Sequence, residues 1–473
     1  MTKTTLRGAF AATTALSLIA STAMAEDYTK YGIKADVPGT CSFEAIDAKD
    51  YTGRTLNIIT HAIPVIGEPT ALHAQQFQEL TGATVNVVHV PFGDLFQRIM
   101  IPFQTQQAAY DVLFHASLWL GDFSPFFAEV PAAYQETSGM KSVTDTYRGV
   151  SLVDGKLLQY PMDGDRHYLK YRSDVFANPD MQAKFKEATG RDLTVPATWE
   201  EYNEVAAVFN DFDFDGDGAP NFGTAEVTKR DDLMFSAFIS RVAAYAKHPD
   251  VKGTSFGLGD EIFSFGGGQT LMSYSWDDAF IQAMQADSPI RNKVAAAPLP
   301  GAKEVWNRTT GAWDTFETPN QVSYVTWGWS SAVAAASPNQ DMAFDYLCFF
   351  SNEANTMADL QIGRFGVNPY RAEHFDPAFY QNDLGWDAAV ATTYADTLKA
   401  VDSAPNQVFD LRVPGVGEFM SSLAAGVARA QSGEATAQEA LDGVAAEWTV
   451  IVDRIGKDKV KAAYANVVAL EDK

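Results

Sequence analysis

The chain has 473 residues, 60 acidic and 35 basic, for a formal net charge of −25 at pH 7. A surface this negative repels phosphate backbones and anionic lipid heads, which argues against nucleic-acid or membrane-surface binding. At 46% apolar and 12% aromatic the chain is too hydrophobic for disorder, and its length predicts more than one lobe.

Residues 1–25 combine a basic start (Lys3, Arg7), an apolar run (Ala9 to Ala20) and the small-residue ending Ala23-Met24-Ala25. This predicts a secretory signal cut after Ala25 and a periplasmic protein. No apolar stretch of roughly 18 residues follows, so no membrane insertion is expected. Residues 26–49 read as a polar surface extension with a Pro38-Gly39 turn. Cys41 and Cys348 are the two cysteines of the chain. In an oxidising compartment they are expected to pair; the alternative is two free thiols, with Cys348 a small core residue.

TLNIIT (55–60) predicts a buried strand, 68–82 a helix ending at Gly82, and 83–91 a second strand; a helix and a third strand, 111–117, follow. Alternation of this kind predicts a mostly parallel sheet covered by helices. A break near 150–162 opens a second set of elements. HYLKYRSDVF (167–176) predicts a strand running into a helix, and Thr198 with Glu201 predicts a capping box. VAAAPLPG (294–301) predicts a strand. In YVTWGWSS an extended strand would project Trp327 and Trp329 from one face, and a helix capped by Ser337 comes next. Helices dominate from 383 onward.

The pieces FQELTGATVNVVHVP, DVLFHASLWLGDF, VDGKLLQYPMDGDRHYLKYRSDVF, VPATWEEY, SSAVAAASPNQDMAFDYLCFF and GRFGVNPYR stand in this order along nearly the whole mature length. In them the chain resembles the extracellular solute-binding proteins (family 1) of carbohydrate-uptake ABC transporters, the group that includes maltose-binding protein. The resemblance implies an α/β, two-lobed periplasmic-binding-protein fold, type II-like, each lobe a mostly parallel sheet flanked by helices with the ligand cleft between. The N-lobe would take 50–158 plus 294–330 and the C-lobe 159–293 plus 331–473, with crossings near Tyr160, Val294 and Ser331. It also implies a sugar-like ligand held by hinge closure, permease subunits in the inner membrane as partners, a monomer, and no required cofactor.

Sugar binding needs apolar faces for ring C–H surfaces and hydrogen-bonding groups for hydroxyls. Trp327 and Trp329 are the expected platform, with core packing as the alternative. Asp163 and Asp165 bracket a glycine that would let backbone approach a bound molecule; capping of a turn is the other reading. Residues following N-lobe strands should face the cleft, which nominates His61, Glu68, Ser117, Trp119 and Asp122. Trp276 follows the glycine triplet 266–268, and Arg364 would pair with Asp163, reach the ligand, or form a structural ion pair.

Asp211, Asp213, Asp215 and Asp217 alternate through DFDFDGDG, a pattern that could wrap a structural Ca²⁺, although the glutamate of an EF-hand at position twelve is missing. An acidic surface turn is the alternative. No HExxH, GxSxG or zinc-spaced cluster occurs among the seven histidines, so no enzyme is expected. The rival from another class is a secreted carbohydrate-active enzyme using paired carboxylates. A polyol or other small polar solute is the rival ligand.

Overall fold

The structure, a computed structural model, describes residues 37–105, 107–229, 238–239, 257–307, 310–325, 327–362 and 366–471. The expected signal, its cut after Ala25, the start of the extension and Arg364 lie outside the described residues.

The first sheet runs β2 (Thr84–Val90), β1 (Thr55–His61), β3 (Val112–Ala116), β14 (Trp329–Val333), β6 (Tyr160–Pro161). Its central strand β3 is buried along its whole length, as expected of an apolar run covered on both faces. The helix Gly67–Thr81 lies against β2 and stops at Gly82, whose φ of 70° supplies the left-handed cap. The second sheet runs β10 (Val294–Ala297), β7 (Tyr168–Arg172), β9 (Thr270–Ser275), β8 (Phe222–Ala225). Thr198 and Glu201 form the capping box that starts the helix Trp199–Phe209 beside this sheet. Three small ladders complete the strands: β4 (Leu152–Val153) with β5 (Lys156–Leu157), β11 (Ala302–Asn307) with β12 (Ala312–Asn320), and β13 (Ser323–Val325) with β15 (Gln407–Phe409).

Four features differ from the sequence reading. The sheets are mixed where mostly parallel ones were expected. β1 is parallel to β2 and β3, but β14 runs antiparallel to both of its neighbours, and in the second sheet only β8 and β9 are parallel. In the first sheet the antiparallel strand is β14, which re-enters after the chain has passed through all four strands of the second sheet.

Sheet membership also departs from the expected boundaries. Val294–Ala297, assigned to the N-lobe, pairs with β7 in the second sheet, while Ser331 pairs with Tyr160 inside the first. The helix Gln340–Phe350 likewise packs on β14 and on the helix Gly67–Thr81, in the first lobe. VAAAP and SSAVAAAS are both small-residue strands, and nothing in their pattern says which sheet each joins.

Third, Trp327 and Gly328 are not extended. Both have left-handed φ, 67° and 72°, and β14 begins only at Trp329. Fourth, the helix at 340 is entered from Asn339; Ser337 instead accepts the Asn339 amide and donates to Asp111.

Cys41 and Cys348 are joined, with Cα atoms 5.1 Å apart. The bond fixes the N-terminal segment to the buried helix Gln340–Phe350, and Asn352 Nδ2 donates to the Cys41 carbonyl beside it.

Candidate functional site

A cavity of about 320 Å³ lies between the two lobes. On the first-lobe side it is walled by His61 at the end of β1, by Val65, and by Phe92, which follows β2. These positions lie beyond the carboxyl ends of parallel strands, where open α/β sheets hold their ligands. The opposite wall is Trp276, directly after β9, with Asp278 at the first residue of the helix Asp278–Ala283 and Leu258 and Ile262 from the helix Leu258–Gly266. Segments passing between the lobes supply the rest: Asp163, Asp165, Trp327, Trp329, Gly366 and Asn368.

The bend at 327–329 is held by three carboxylates. The amide of Trp327 donates to Asp410 Oδ2 at 2.5 Å, that of Gly328 to Asp165 Oδ2 at 3.1 Å, and that of Trp329 to Asp163 Oδ2 at 3.3 Å. Ser117 adds a side-chain bond to the Trp327 carbonyl, and its own amide donates to the Gly328 carbonyl at 2.8 Å. Consecutive left-handed residues are costly for a tryptophan, so the aspartates over-determine the turn. The result sets both indoles against the cavity.

Around them the rings form one group. Phe92 lies 5.1 Å from Trp327 and 6.1 Å, edge to face, from Trp329; His61 lies 5.3 Å from Trp329. Burial holds the His61 pKa below its usual value, so the ring is neutral at pH 7. Its Nδ1 faces the Val65 carbonyl at 3.2 Å and donates to it, which leaves Nε2 as an acceptor.

The carboxylates are tied to a second segment as well. Asp163 Oδ1 accepts the amides of Gly164 at 2.7 Å and Asn368 at 2.6 Å, and Asp165 Oδ1 accepts Asn368 Nδ2 at 2.6 Å. Burial pushes Asp163 up to about 8 against these bonds, and burial together with the Asp163 charge pushes Asp165 well above the carboxylate range. Asp278 rises to about 6 through burial and the neighbouring Asp277. Three such groups in one low-dielectric space resist ionising together.

Trp276 is 2% exposed, and its indole Nε1–H has no partner among the described residues. Its backbone is fixed from behind: Lys170 Nζ donates to the Trp276 carbonyl at 2.8 Å and to Ser275 Oγ at 2.9 Å, and Ser275 Oγ donates to Glu261. A buried donor without a partner is uncommon in a folded protein. The ring lines the cavity while this nitrogen is shielded from solvent.

Of the residues nominated from sequence, Trp327, Trp329, Asp163, Asp165, Trp276 and His61 meet in this cavity. Trp119 does not: it stacks at 5.5 Å on Phe92, which takes the position facing the guest and leaves Trp119 a ring of the core. Asp122 points elsewhere, accepting the Gly415 amide at 2.9 Å at the start of the helix Val416–Gln431. Glu68 sits in the first turn of its helix and does not line the cavity. Gly164 is needed for packing: a Cβ there would overlap the Pro369 carbonyl, not a guest. The triplet Gly266–Gly268 ends a helix behind the wall, where the Gly268 carbonyl accepts from Arg172.

Phe92, Asp278 and Asn368 were missed. Phe92 was legible from its place after β2, and Asp278 from its adjacency to Trp276. Asn368 carried no local signal. Away from the cavity, Asp213, Asp215 and Asp217 each bring one oxygen within 4.8 Å of the others, and Asp211 stands outside that set.

A sequence profile for the family described as bacterial extracellular solute-binding protein matches residues 73–385. A probable amino-acid ABC transporter periplasmic-binding protein from Sinorhizobium fredii is 22% identical over 311 residues, 59% of this chain and 69% of that one. Among solved structures, a maltose-bound T. maritima MalE3 superposes with a TM-score of 0.62 at 18% identity, covering 84% of this chain and all 100% of its own. A solute-binding protein from Agrobacterium radiobacter K84 in complex with ribitol gives a TM-score of 0.63 at 17% identity, covering 84% of this chain and 99% of its own.

Proposed function

The chain belongs to the bacterial extracellular solute-binding proteins, and on that premise we propose that it captures a sugar or sugar-like solute, polyols included, between its lobes. It then delivers the solute to the membrane permease of an ABC importer, working as an exported monomer. The observation that carries the ligand class is the wall itself: Trp276, Trp327, Trp329 and Phe92 offer apolar faces beside Asp163, Asp165 and Asp278. Aromatic faces take C–H surfaces and carboxylates take hydroxyl protons, the two demands of a polyhydroxylated molecule. Maltose and ribitol are the guests of the two similar structures.

An amino acid, suggested by the name of the Sinorhizobium relative, suits the cavity less well. Its α-carboxylate would face three acidic groups, and no cation lines the cavity among the described residues. Catalysis is also disfavoured. Family and fold are those of proteins that bind without chemistry, and Asp163 and Asp165 are engaged by amides of the 327–329 bend and by Asn368.

The two lobes would close around the guest, and the permease would read the closed form. A thermal-shift screen against mono- and oligosaccharides, polyols and glycosides tests the reading. A rise in melting temperature with one class, lost in Trp329→Ala, supports it, and release of product from an oligosaccharide would replace it with the enzyme. Solution scattering should show compaction with the same ligand. The oxygens of Asp213, Asp215 and Asp217 form a donor set that suits a structural Ca²⁺, and calcium binding there would raise the melting temperature in the parent but not in Asp215→Asn.

A further inference from the structure

We propose that the solute held in this cavity carries a protonated amine on its hydroxylated skeleton, the chemistry of an amino sugar or amino polyol. The inference rests on the sugar-like reading above and narrows it.

Charge balance is the first argument. Asp163, Asp165 and Asp278 all line the cavity, and among the described residues no Lys or Arg does. The nearby buried cations are committed elsewhere. Lys170 is turned toward Ser275 Oγ and the Trp276 carbonyl, and Arg166 pairs with Asp402 at 3.3 Å and bonds Tyr147. Burial keeps Asp163 and Asp165 protonated in the empty cavity; a cationic guest would take the place of those protons and compensate Asp278 as well, whereas a neutral guest does neither.

Hydrogen-bond capacity is the second. Among the described residues, protein donors take three of the four lone-pair directions of Asp163 and two of those of Asp165. Among the described residues, Asp278 receives its own backbone amide and no other donor. The free acceptor sites therefore come from three separate side chains lining one cavity, and a primary ammonium brings three N–H donors to them. A quaternary ammonium has no N–H and leaves them bare.

The rings add to the same choice, because indole faces attract cations.

Calorimetric titration of the full chain with matched pairs tests the proposal: D-glucosamine against D-glucose, 1-amino-1-deoxysorbitol against sorbitol, and choline alone. The amine of at least one pair should bind tenfold or more tightly than its hydroxyl partner. Asp278→Asn should remove most of that preference and Asp278→Glu should keep it, with circular dichroism confirming that both fold. Equal or tighter binding of the neutral partner overturns the inference and leaves the sugar-like reading standing. Choline binding above both amines overturns the inference in favour of a caged quaternary ammonium. Silence from every pair removes both the inference and the reading beneath it.

Discussion

The chain gathers aspartates in two places, and the same side chain behaves oppositely in them. In the cleft, Asp163 and Asp165 are buried and pushed above the carboxylate range, while the loop around Asp213 is open to water. Burial is the largest single influence on Asp213 and raises its pKa, yet the amides of Gly216, Gly218 and Asp217 and the Asp215 side chain together outweigh it and hold the pKa below the usual value. Both sets accept backbone amides. What separates them is solvent: water screens one cluster, and the other must be neutralised by protons or by a guest. Density of acidic residues in a sequence therefore says little until burial is known.

That contrast can be broken or sharpened by experiment. The largest effect is expected for Trp329→Ala, which empties a ring site that is 6% exposed and should cost about 3–5 kcal/mol in denaturant unfolding as well as abolishing ligand binding. Next comes Asp163→Ala. It strips the acceptor from the amides of Gly164, Trp329 and Asn368 and should destabilise by about 2–3 kcal/mol, while Asp163→Asn, which keeps an oxygen, should cost less. Equal losses for the two variants would show that charge, not amide pairing, is what the site needs.

A pH series gives a smaller signal with a defined sign. The folded-state pKa values of Asp163, Asp165 and Asp278 lie above the unfolded value of 3.8, so their contribution is complete below that pH and is lost as pH rises through about 6 for Asp278 and about 8 for Asp163. Against the ligand-free parent, Asp278→Asn should lose this group's share of the fall in melting temperature between about pH 4 and pH 6. The buried neutral rings of His115, His167 and His374, held below their usual pKa by burial, pull the opposite way up to about pH 6.5. Asp341, held down to about 2 by the Arg54 bond, acts only below this window and leaves the slope unchanged. The smallest effect belongs to the loop: without added cation, Asp215→Asn should move the melting temperature by less than about 1 °C. A larger change would mean that the loop is not the solvated turn it resembles.

Local chemistry was legible wherever it was settled within a few residues. The stop at Gly82, the box of Thr198 and Glu201, the β1 to β3 strands and the three tryptophans of the cleft all follow from spacing and residue type. The bend at Trp327 was not, because it is imposed by Asp163, Asp165 and Asp410, which lie far away in sequence. The same limit explains Trp119: only the packed structure reveals that Phe92 stands in front of it. Sheet membership failed for a related reason, since pairing partners are chosen across more than a hundred residues.

The Cys41–Cys348 bond has a topological consequence. It spans 307 positions and turns the chain between them into a covalent ring that contains the three cleft tryptophans, the three cleft aspartates and the exposed hairpin carrying Trp306 and Trp313. A protease that nicks the backbone once anywhere inside this ring opens it without releasing a fragment. On a gel the nicked protein should run as one species until a thiol is added, and only then separate into two.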